Sequence, residues 1–436
     1  MFQSILQTSP AGSGWSIGAW TILIGCLSAI PAALIGVFLC LRRMSLLADA
    51  ISHAVLPGIA IAFLLSGQVS GLPIVVGAVI AAFLTTTLTR IMNSSGKVNE
   101  QAGIGVVFTT LFALGVMLIS IAAENVDLDP GCILYGAIEF VPLDTVTFNS
   151  FEFPRSMLPQ GLAAIITGVF IVLFFKELKL CSFDYGLADS MGFHPSRLDI
   201  ILLVLTSTVT VFSFEAVGSI LVIVLLVAPA SAALLMSDKL EVAMPLAVLF
   251  GCLSSISGYF AALSTNTSVA GMIAISAGVI FIATWLFSPG HGEIANIIRR
   301  LKLRLSIATD DLLAAYFRRQ FSQKDLSISF ENPKLRSRFW RTLAQHRAIR
   351  KGWLASESNQ GNPSMYLTDQ GLELAKSIVR SHRLWESFLH QDFQLPEDHL
   401  HEPAELAEHF LGPDLQTQLS FQLEKPKIDP HGSQIP

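Results

Sequence analysis

Two groups of residues in this 436-residue chain have the types and spacing to hold a metal ion. The first is Asp49 and His53, four residues apart in an otherwise apolar run from Leu46 to Gly58. On a helix, side chains at i and i+4 leave from one face, so a carboxylate oxygen and an imidazole nitrogen can close on one divalent first-row cation. Pro57 has no N–H to offer the carbonyl of His53, which frees that oxygen and kinks the helix, and Gly58 lets a neighbouring helix come close. The alternative for Asp49 and His53 is a satisfied polar contact between packed helices, six residues after Arg43. The second group is His382, His390, His399, His401, His409 and His431, with Glu386, Glu402, Glu405 and Glu408 among them. His382 and Glu386 repeat the i, i+4 pairing. His401, Glu405, Glu408 and His409 fall at i, i+4, i+7 and i+8, one helix face offering imidazole and carboxylate ligands. Manganese, iron and zinc all accept such donors, and geometry chooses among them.

Both groups need elements to hold them, and composition puts those elements in different solvents. The chain has 28 Lys+Arg against 33 Asp+Glu, 52% hydrophobic residues and 14% charged residues, well below the roughly 25% charged share of a soluble domain. Residues 1–290 hold 9 Lys+Arg and 15 Asp+Glu, leaving 19 and 18 for the last 146. This excludes disorder and a single water-soluble globule, and divides the chain into a membrane part, 1–296, and a soluble part, 297–436. The net charge of −5 marks the chain as a whole neither as a nucleic-acid binder nor as a polybasic anchor. The 5 cysteines show no CxxC spacing, so no disulfide framework or zinc ribbon is expected. Residues 1–16 contain no Lys or Arg and run straight into a full-length span, which argues against a cleaved signal peptide.

A hydrocarbon core of about 30 Å takes roughly 20 apolar residues per helix. Candidate spans cover 17–41, 46–66, 72–92, 102–123, 159–175, 197–213, 218–236, 242–263 and 269–288, one fewer if the stretch around Ala228-Pro229-Ala230 re-enters. Arg42 and Arg43, Arg90 and Lys97, Lys176, Lys179 and Arg197, Lys239, and Arg299 and Arg300 follow the odd-numbered spans, whose ends are therefore expected on the cytoplasmic side. The N-terminus is then outside and the C-terminus in the cytoplasm. The 124–158 connection, on the outer side, carries Glu124, Asp127, Asp129, Glu139, Asp144 and Glu152 against Arg155. Such a run is either a solvated face or a surface that attracts cations or a delivery protein. Glu215 is a second acidic candidate at a span boundary, and Pro229 is either a hinge or a tolerated kink. The polar connection 176–197 is too polar to cross and has helix-forming residues between Gly186 and Gly192, fitting a short helix across the membrane face that takes force from a soluble motor. The chain has no GxxxxGK[ST] phosphate loop, so an ATPase would be another subunit.

The run Asp49-Ala50-Ile51-Ser52-His53-Ala54-Val55-Leu56-Pro57-Gly58 resembles the signature of the metal-specific ABC transporter permeases, the membrane subunits of manganese, zinc and iron importers. Gly103-Ile104-Gly105-Val106-Val107-Phe108, Ala216-Val217-Gly218-Ser219-Ile220-Leu221 leading to Ala228-Pro229-Ala230, and Ser276-Ala277-Gly278-Val279-Ile280-Phe281 are similar too. The resemblance covers about residues 15–290. It implies a permease dimer, homo- or heteromeric, bound to cytoplasmic ATPases and supplied by an extracytoplasmic metal-binding protein. It also implies a coupling helix over 182–194, with Phe183, Asp184, Gly186, Ala188 and Gly192, and a metal path at Asp49 and His53.

In the extension, Asp311-Leu312-Leu313-Ala314-Ala315-Tyr316-Phe317, after the basic stretch Arg299–Arg304, reads as an amphipathic helix with a polar start. A basic helical segment over 334–351 follows, then two short strands around a polar turn at 358–363. That order suits a winged helix, whose basic helix either meets DNA phosphates or is simply solvated. Leu367-Thr368-Asp369-Gln370-Gly371, His382 to Leu389, Glu405-Leu406-Ala407-Glu408-His409 and the closing Pro430-His431-Gly432-Ser433-Gln434-Ile435-Pro436 resemble the diphtheria-toxin-repressor and manganese-repressor family. The resemblance implies one metal site with His382, Glu386 and His401 and another with Glu405, Glu408 and His409. Asp310 and Asp311 are the candidates for its N-terminal acidic ligand. Glu405 stands where iron-type regulators have cysteine, a harder donor that leans toward manganese.

The sequence therefore predicts an all-α polytopic membrane protein of 8–9 spans in a bacterial inner membrane, with a mostly helical winged-helix, metalloregulator-like domain. The function expected is a divalent-metal permease, itself no enzyme, with a metal-sensing domain. The alternative is a membrane-anchored metal-dependent transcription regulator.

Overall fold

The computed structural model describes residues 16–67, 72–94, 100–123, 138–148, 151–290, 292–321, 337–359, 362–396, 399–424 and 426–436. Lys97, Glu124, Asp127, Asp129, Lys334 and Arg336 lie outside the described residues, as do the side chains of Asp49, Arg90, Glu215 and Glu402. Two compact units divide the chain, Met1–Ala295 and Asn296–Pro436.

The first unit is a helical bundle: α1 (Ile17–Leu41), α2 (Ser45–Ala54), α3 (Leu56–Ser66), α4 (Leu72–Ser94) and α5 (Glu100–Ala123). A hairpin of β1 (Thr145–Phe148) and β2 (Phe151–Pro154) leads into α6 (Met157–Leu173), α7 (Phe175–Phe183) and α8 (Tyr185–Ser190). Then come α9 (Pro195–Val217), α10 (Ser219–Met236), α11 (Leu240–Thr265) and α12 (Val269–Phe287). Among the described residues 7 helices are long and apolar enough to cross a membrane, or 8 when α6 and α7, bent by 73° at Phe174, are taken as one span.

Two expectations need correction, and one alternative left open is decided. The span expected over 46–66 is two helices, interrupted at Val55, because Pro57 sits in the first turn of α3 and has no N–H for the His53 carbonyl. The span expected over 159–175 ends at Leu173, where the chain turns. The stretch around Pro229 does not re-enter but lies inside the continuous helix α10; neighbouring helices make such a proline tolerable.

Helix α1 is central, packed on α6, α9, α10 and α11. Its Ile24, Ile35 and Leu39 share a buried cluster with Leu203 and Val209 of α9, Leu221 and Leu225 of α10, and Ile273 of α12. In lipid such contacts hold by close fit rather than by escape from water, which favours small residues at crossings. Gly58 of α3 and Gly77 of α4 meet backbone to backbone, so that a Cβ on Gly58 would stand 2.2 Å from the Gly77 carbonyl oxygen.

The second unit contains most of α13 (Glu293–Phe321), then α14 (Arg338–Arg350), the antiparallel pair β3 (Leu354–Asn359) and β4 (Asn362–Leu367), α15 (Asp369–Phe393), α16 (His401–Ala407) and α17 (Pro413–Gln422). Asp311, expected near a helix start, is well inside α13, because apolar positions continue on both sides of it. The basic helix begins at Arg338. Ala308, Leu312, Leu313 and Phe317 of α13 form a core with Ala344 and Ala348 of α14, Leu354 and Leu367 of the hairpin, and Ala375, Ile378 and Val379 of α15. Thr368 fixes the start of α15: its hydroxyl accepts from the Gly371 N–H (3.2 Å) and donates to the Gly352 carbonyl (2.6 Å). The C-terminal tail folds back on α15, where Arg380 donates to the Pro436 carbonyl (2.7 Å) and Arg383 pairs with Asp429 (3.4 Å).

Candidate metal sites

In the first unit, α2 carries both Asp49 and His53. The imidazole of His53 is half-buried against α5, with ring centroids 5.5 Å from Phe108 and 5.8 Å from Phe112. Phe108 closes the Gly103–Phe108 motif, so two separate sequence motifs meet here. Gly115 of α5 lies against Leu56 and Pro57, which seats the helix break on the same partner. His53 therefore stands just before a helix break, beside aromatic rings, on the helix that also carries Asp49.

The connection between α6 and α9 bears Phe183, Asp184, Gly186, Ala188 and Gly192. Asp184 caps α8 by accepting from the Leu187 N–H (2.8 Å). Ala188 is fully buried, and Gly192 turns the chain at φ 85°. Phe183, Tyr185, Leu187 and Met191 are exposed large apolar groups. Arg42, just past α1, ties this connection to the bundle by donating from Nε to Ser182 Oγ (3.1 Å) and pairing through Nη1 with Asp199 of α9.

The second unit brings more ligating groups together. His382 Nε2 lies 3.0 Å from Glu386 Oε1 and 3.0 Å from His401 Nδ1, and the last two are 3.2 Å apart. Donor atoms gathered this closely could hold one divalent cation. Glu405 Oε1 borders this cluster, 3.7 Å from His401 Nε2, and the folded-back tail places His431 Nε2 3.8 Å from Glu386 Oε1.

The second cluster is Asp311, Glu408 and His409. His409 Nε2 is 3.0 Å from Asp311 Oδ1 and 3.6 Å from Glu408 Oε1, while its Nδ1 is 3.6 Å from Asp310 Oδ2. The four residues expected on one face of a single helix are thus divided. Helix α16 ends at Ala407 and the following turn carries Glu408 and His409 to the other cluster, where Asp311 takes the place that the resemblance gave to Glu405. His382 belongs to both neighbourhoods, since its Nδ1 lies 2.6 Å from Glu408 Oε2.

Electrostatics in the unit are those of ligands crowded out of water. Burial disfavours the Glu386 carboxylate, but hydrogen bonds to His382 and His401 outweigh it and bring its pKa down to about 2. Burial likewise opposes the charged His409, yet Asp310 and Asp311 push its pKa up to about 9. His382 is raised in the same way, against its burial, by Glu386 and Glu408. His382 Nδ1, Glu408 Oε2 and both ring nitrogens of His409 are buried without an aligned hydrogen bond despite these short approaches. Imidazole nitrogens and carboxylate oxygens this close share protons in the empty site and can exchange them for a cation, so the donor set fits a divalent metal.

An apolar helical bundle with a carboxylate–imidazole pair, joined to a unit of winged hairpin and histidine–carboxylate clusters, defines a polytopic metal permease with a regulator-like domain. The chain belongs to the ABC 3 transport family, whose model matches residues 16–288. Residues 368–436 match the iron dependent repressor, metal binding and dimerisation domain. The zinc transport system membrane protein TroD of Treponema pallidum is 37% identical over 359 residues, covering 82% of this chain and 97% of its own. The manganese transport system membrane protein MntD of Bacillus subtilis is 40% identical over 290 residues, 66% of this chain and 98% of its own. The solved structure of PsaBC from Streptococcus pneumoniae in complex with Fab is similar with a TM-score of 0.56 and 29% identity, covering 69% of this chain and 98% of that one. The chain is thus a multi-pass bacterial membrane protein.

Proposed function

We propose that this chain is the membrane subunit of an ATP-driven importer of a divalent transition metal, manganese before iron or zinc. The observation that carries the reading is the position of Asp49 and His53 on a short helix of the bundle, immediately before a proline-dependent break. An ionisable pair inside apolar helices is costly unless it serves a path or a partner. Asp49 and His53 take the cation, and the broken helix leaves backbone carbonyls free to share it. The membrane-spanning chain has its N-terminus outside and its C-terminus in the cytoplasm, in keeping with the basic loops. It works as a homo- or heterodimer of permeases and receives metal from an extracytoplasmic binding protein.

ATP hydrolysis belongs to a separate cytoplasmic ATPase. Its docking surface is the α7–α8 connection, supported by the exposed Phe183, Tyr185, Leu187 and Met191 and by the absence of a phosphate loop from this sequence. In the second unit, His382, Glu386 and His401, with Glu405 beside them, hold one regulatory metal. Asp311, Glu408 and His409 hold another. Bound metal there slows transport. Manganese is favoured over zinc by the carboxylates Asp311 and Glu408 of the second cluster and by Glu405 beside the first.

Metal uptake by sealed vesicles containing the permease and its ATPase tests the transport reading. Asp49→Ala and His53→Ala should each abolish uptake while ATPase binding persists, and unchanged uptake would overturn it. A tethered DNA-binding role is the second reading, favoured by Arg338 and Arg350, both exposed on α14 ahead of the hairpin. Metal-dependent, salt-sensitive binding of duplex DNA by the full chain would establish it.

A further inference from the structure

One apolar stripe runs along α13 from Ile294 to Leu312, and its two ends have unlike surroundings. Ile294, Ile297, Ile298, Leu301, Leu305, Ala308 and Leu312 recur at spacings of three and four, which puts them on one helix face. At the C-terminal end the stripe is core: Ala308 is 1% exposed and Leu312 0%. At the N-terminal end it faces outward, with Ile297 52%, Ile298 45% and Leu301 44% exposed. Four basic side chains, Arg299, Arg300, Lys302 and Arg304, flank this open part, all exposed. The only carboxylate between residues 290 and 309 is Glu293.

The helix also begins close to the end of a membrane span. Helix α12 stops at Phe287, and Pro289 and Gly290 form a turn. Gly292 donates to the Ser288 carbonyl (3.0 Å), and the Ser288 hydroxyl donates to the carbonyl of Leu235 at the end of α10 (2.5 Å). The first turns of α13 are thus tethered within a few residues of the bilayer edge. On the orientation proposed above, that edge is the cytoplasmic leaflet.

We propose that residues 294–304 of α13 dock on anionic phospholipid headgroups. The isoleucine and leucine stripe enters the headgroup–acyl boundary, while the arginines and lysine on either flank pair with phosphates. Helices with a narrow apolar face between basic flanks lie in this interface, and both forces act together there. The charge complementarity selects anionic lipid, since a zwitterionic surface gives the four cations no net attraction.

The test uses the full chain in nanodiscs carrying a photoactivatable phosphatidylglycerol, with photoactivatable phosphatidylcholine as the neutral control and mass spectrometry to locate the adducts. The segment 294–304 should be labelled by the anionic probe. Replacing all four cations (R299Q/R300Q/K302Q/R304Q) should cut that labelling by about tenfold or more, leaving adducts on the spans unchanged as a check on folding. Equal labelling by both probes, no labelling, or labelling indifferent to the four substitutions would overturn the proposal. Loss of adducts on adding duplex DNA would also overturn it, by assigning the basic face to another partner. Trypsin cleavage after Arg299 or Arg300 from the outside of right-side-out vesicles would instead strike at the proposed orientation, so the two failures are distinguishable.

Discussion

The two regions that offer metal ligands are built on opposite lines. In the first unit, Asp49 and His53 come from one short helix, and the imidazole of His53 stands against two phenylalanine rings. In the second unit three histidines and several carboxylates from α13, α15 and α16 or its following turn approach one another within 2.6 to 3.7 Å. On the proposed assignment the difference follows from what each must do. A site on a path must bind well enough to admit an ion and weakly enough to let it go, whereas a sensing site must hold it long enough to change conformation. Few ligands beside a helix break serve release. Many ligands converging from separate elements serve retention.

The most severe way to break this contrast is His382→Ala. Its two ring nitrogens face different clusters, so metal binding to the soluble unit should weaken at both, by about 100-fold, in equilibrium dialysis of the full chain. Glu386→Gln should weaken only the first. Equal effects from the two variants would mean that His382 does not link the clusters. Uptake should survive both changes, because neither touches the membrane pair.

Gly58→Ala probes the other region. A Cβ 2.2 Å from the Gly77 carbonyl forces α3 and α4 apart, with an expected loss of about 2 kcal/mol. A lowered Tm in detergent, with soluble-unit metal affinity unchanged, would show that the membrane region depends on backbone fit and the soluble region does not.

Glu405→Cys sharpens the comparison within the soluble unit. A soft thiolate beside His401 should shift the zinc-to-manganese affinity ratio toward zinc by about tenfold, and competition titration would measure it. The smallest effect is expected from Arg42→Lys. The ammonium keeps the charge for Asp199 but loses the planar fork that also reaches Ser182, so metal moved per ATP hydrolysed should fall about threefold. Ser182→Ala should match it, and an unchanged ratio in both variants would remove Arg42 from the coupling route.

Sequence alone determined the features that depend on neighbours along the chain. The hydropathy of each span, the charge contrast between the two parts, the i, i+4 pairs and the strand–turn–strand of the hairpin are local, because helix and strand periodicity act over a few residues. Pro57 announced a kink at the start of α3, although not that the span would part into two helices. Tertiary structure decided which ligands share a site. Asp311 meets His409 from nearly a hundred residues away because the core of Ala308, Leu312, Leu313 and Phe317 seats α13 against the rest of the unit. His401 and Glu405 part from Glu408 and His409 because α16 ends between them, and His431 reaches Glu386 because Arg380 and Arg383 hold the tail. Periodicity assigns a residue to a face; only packing against a distant element fixes what that face meets.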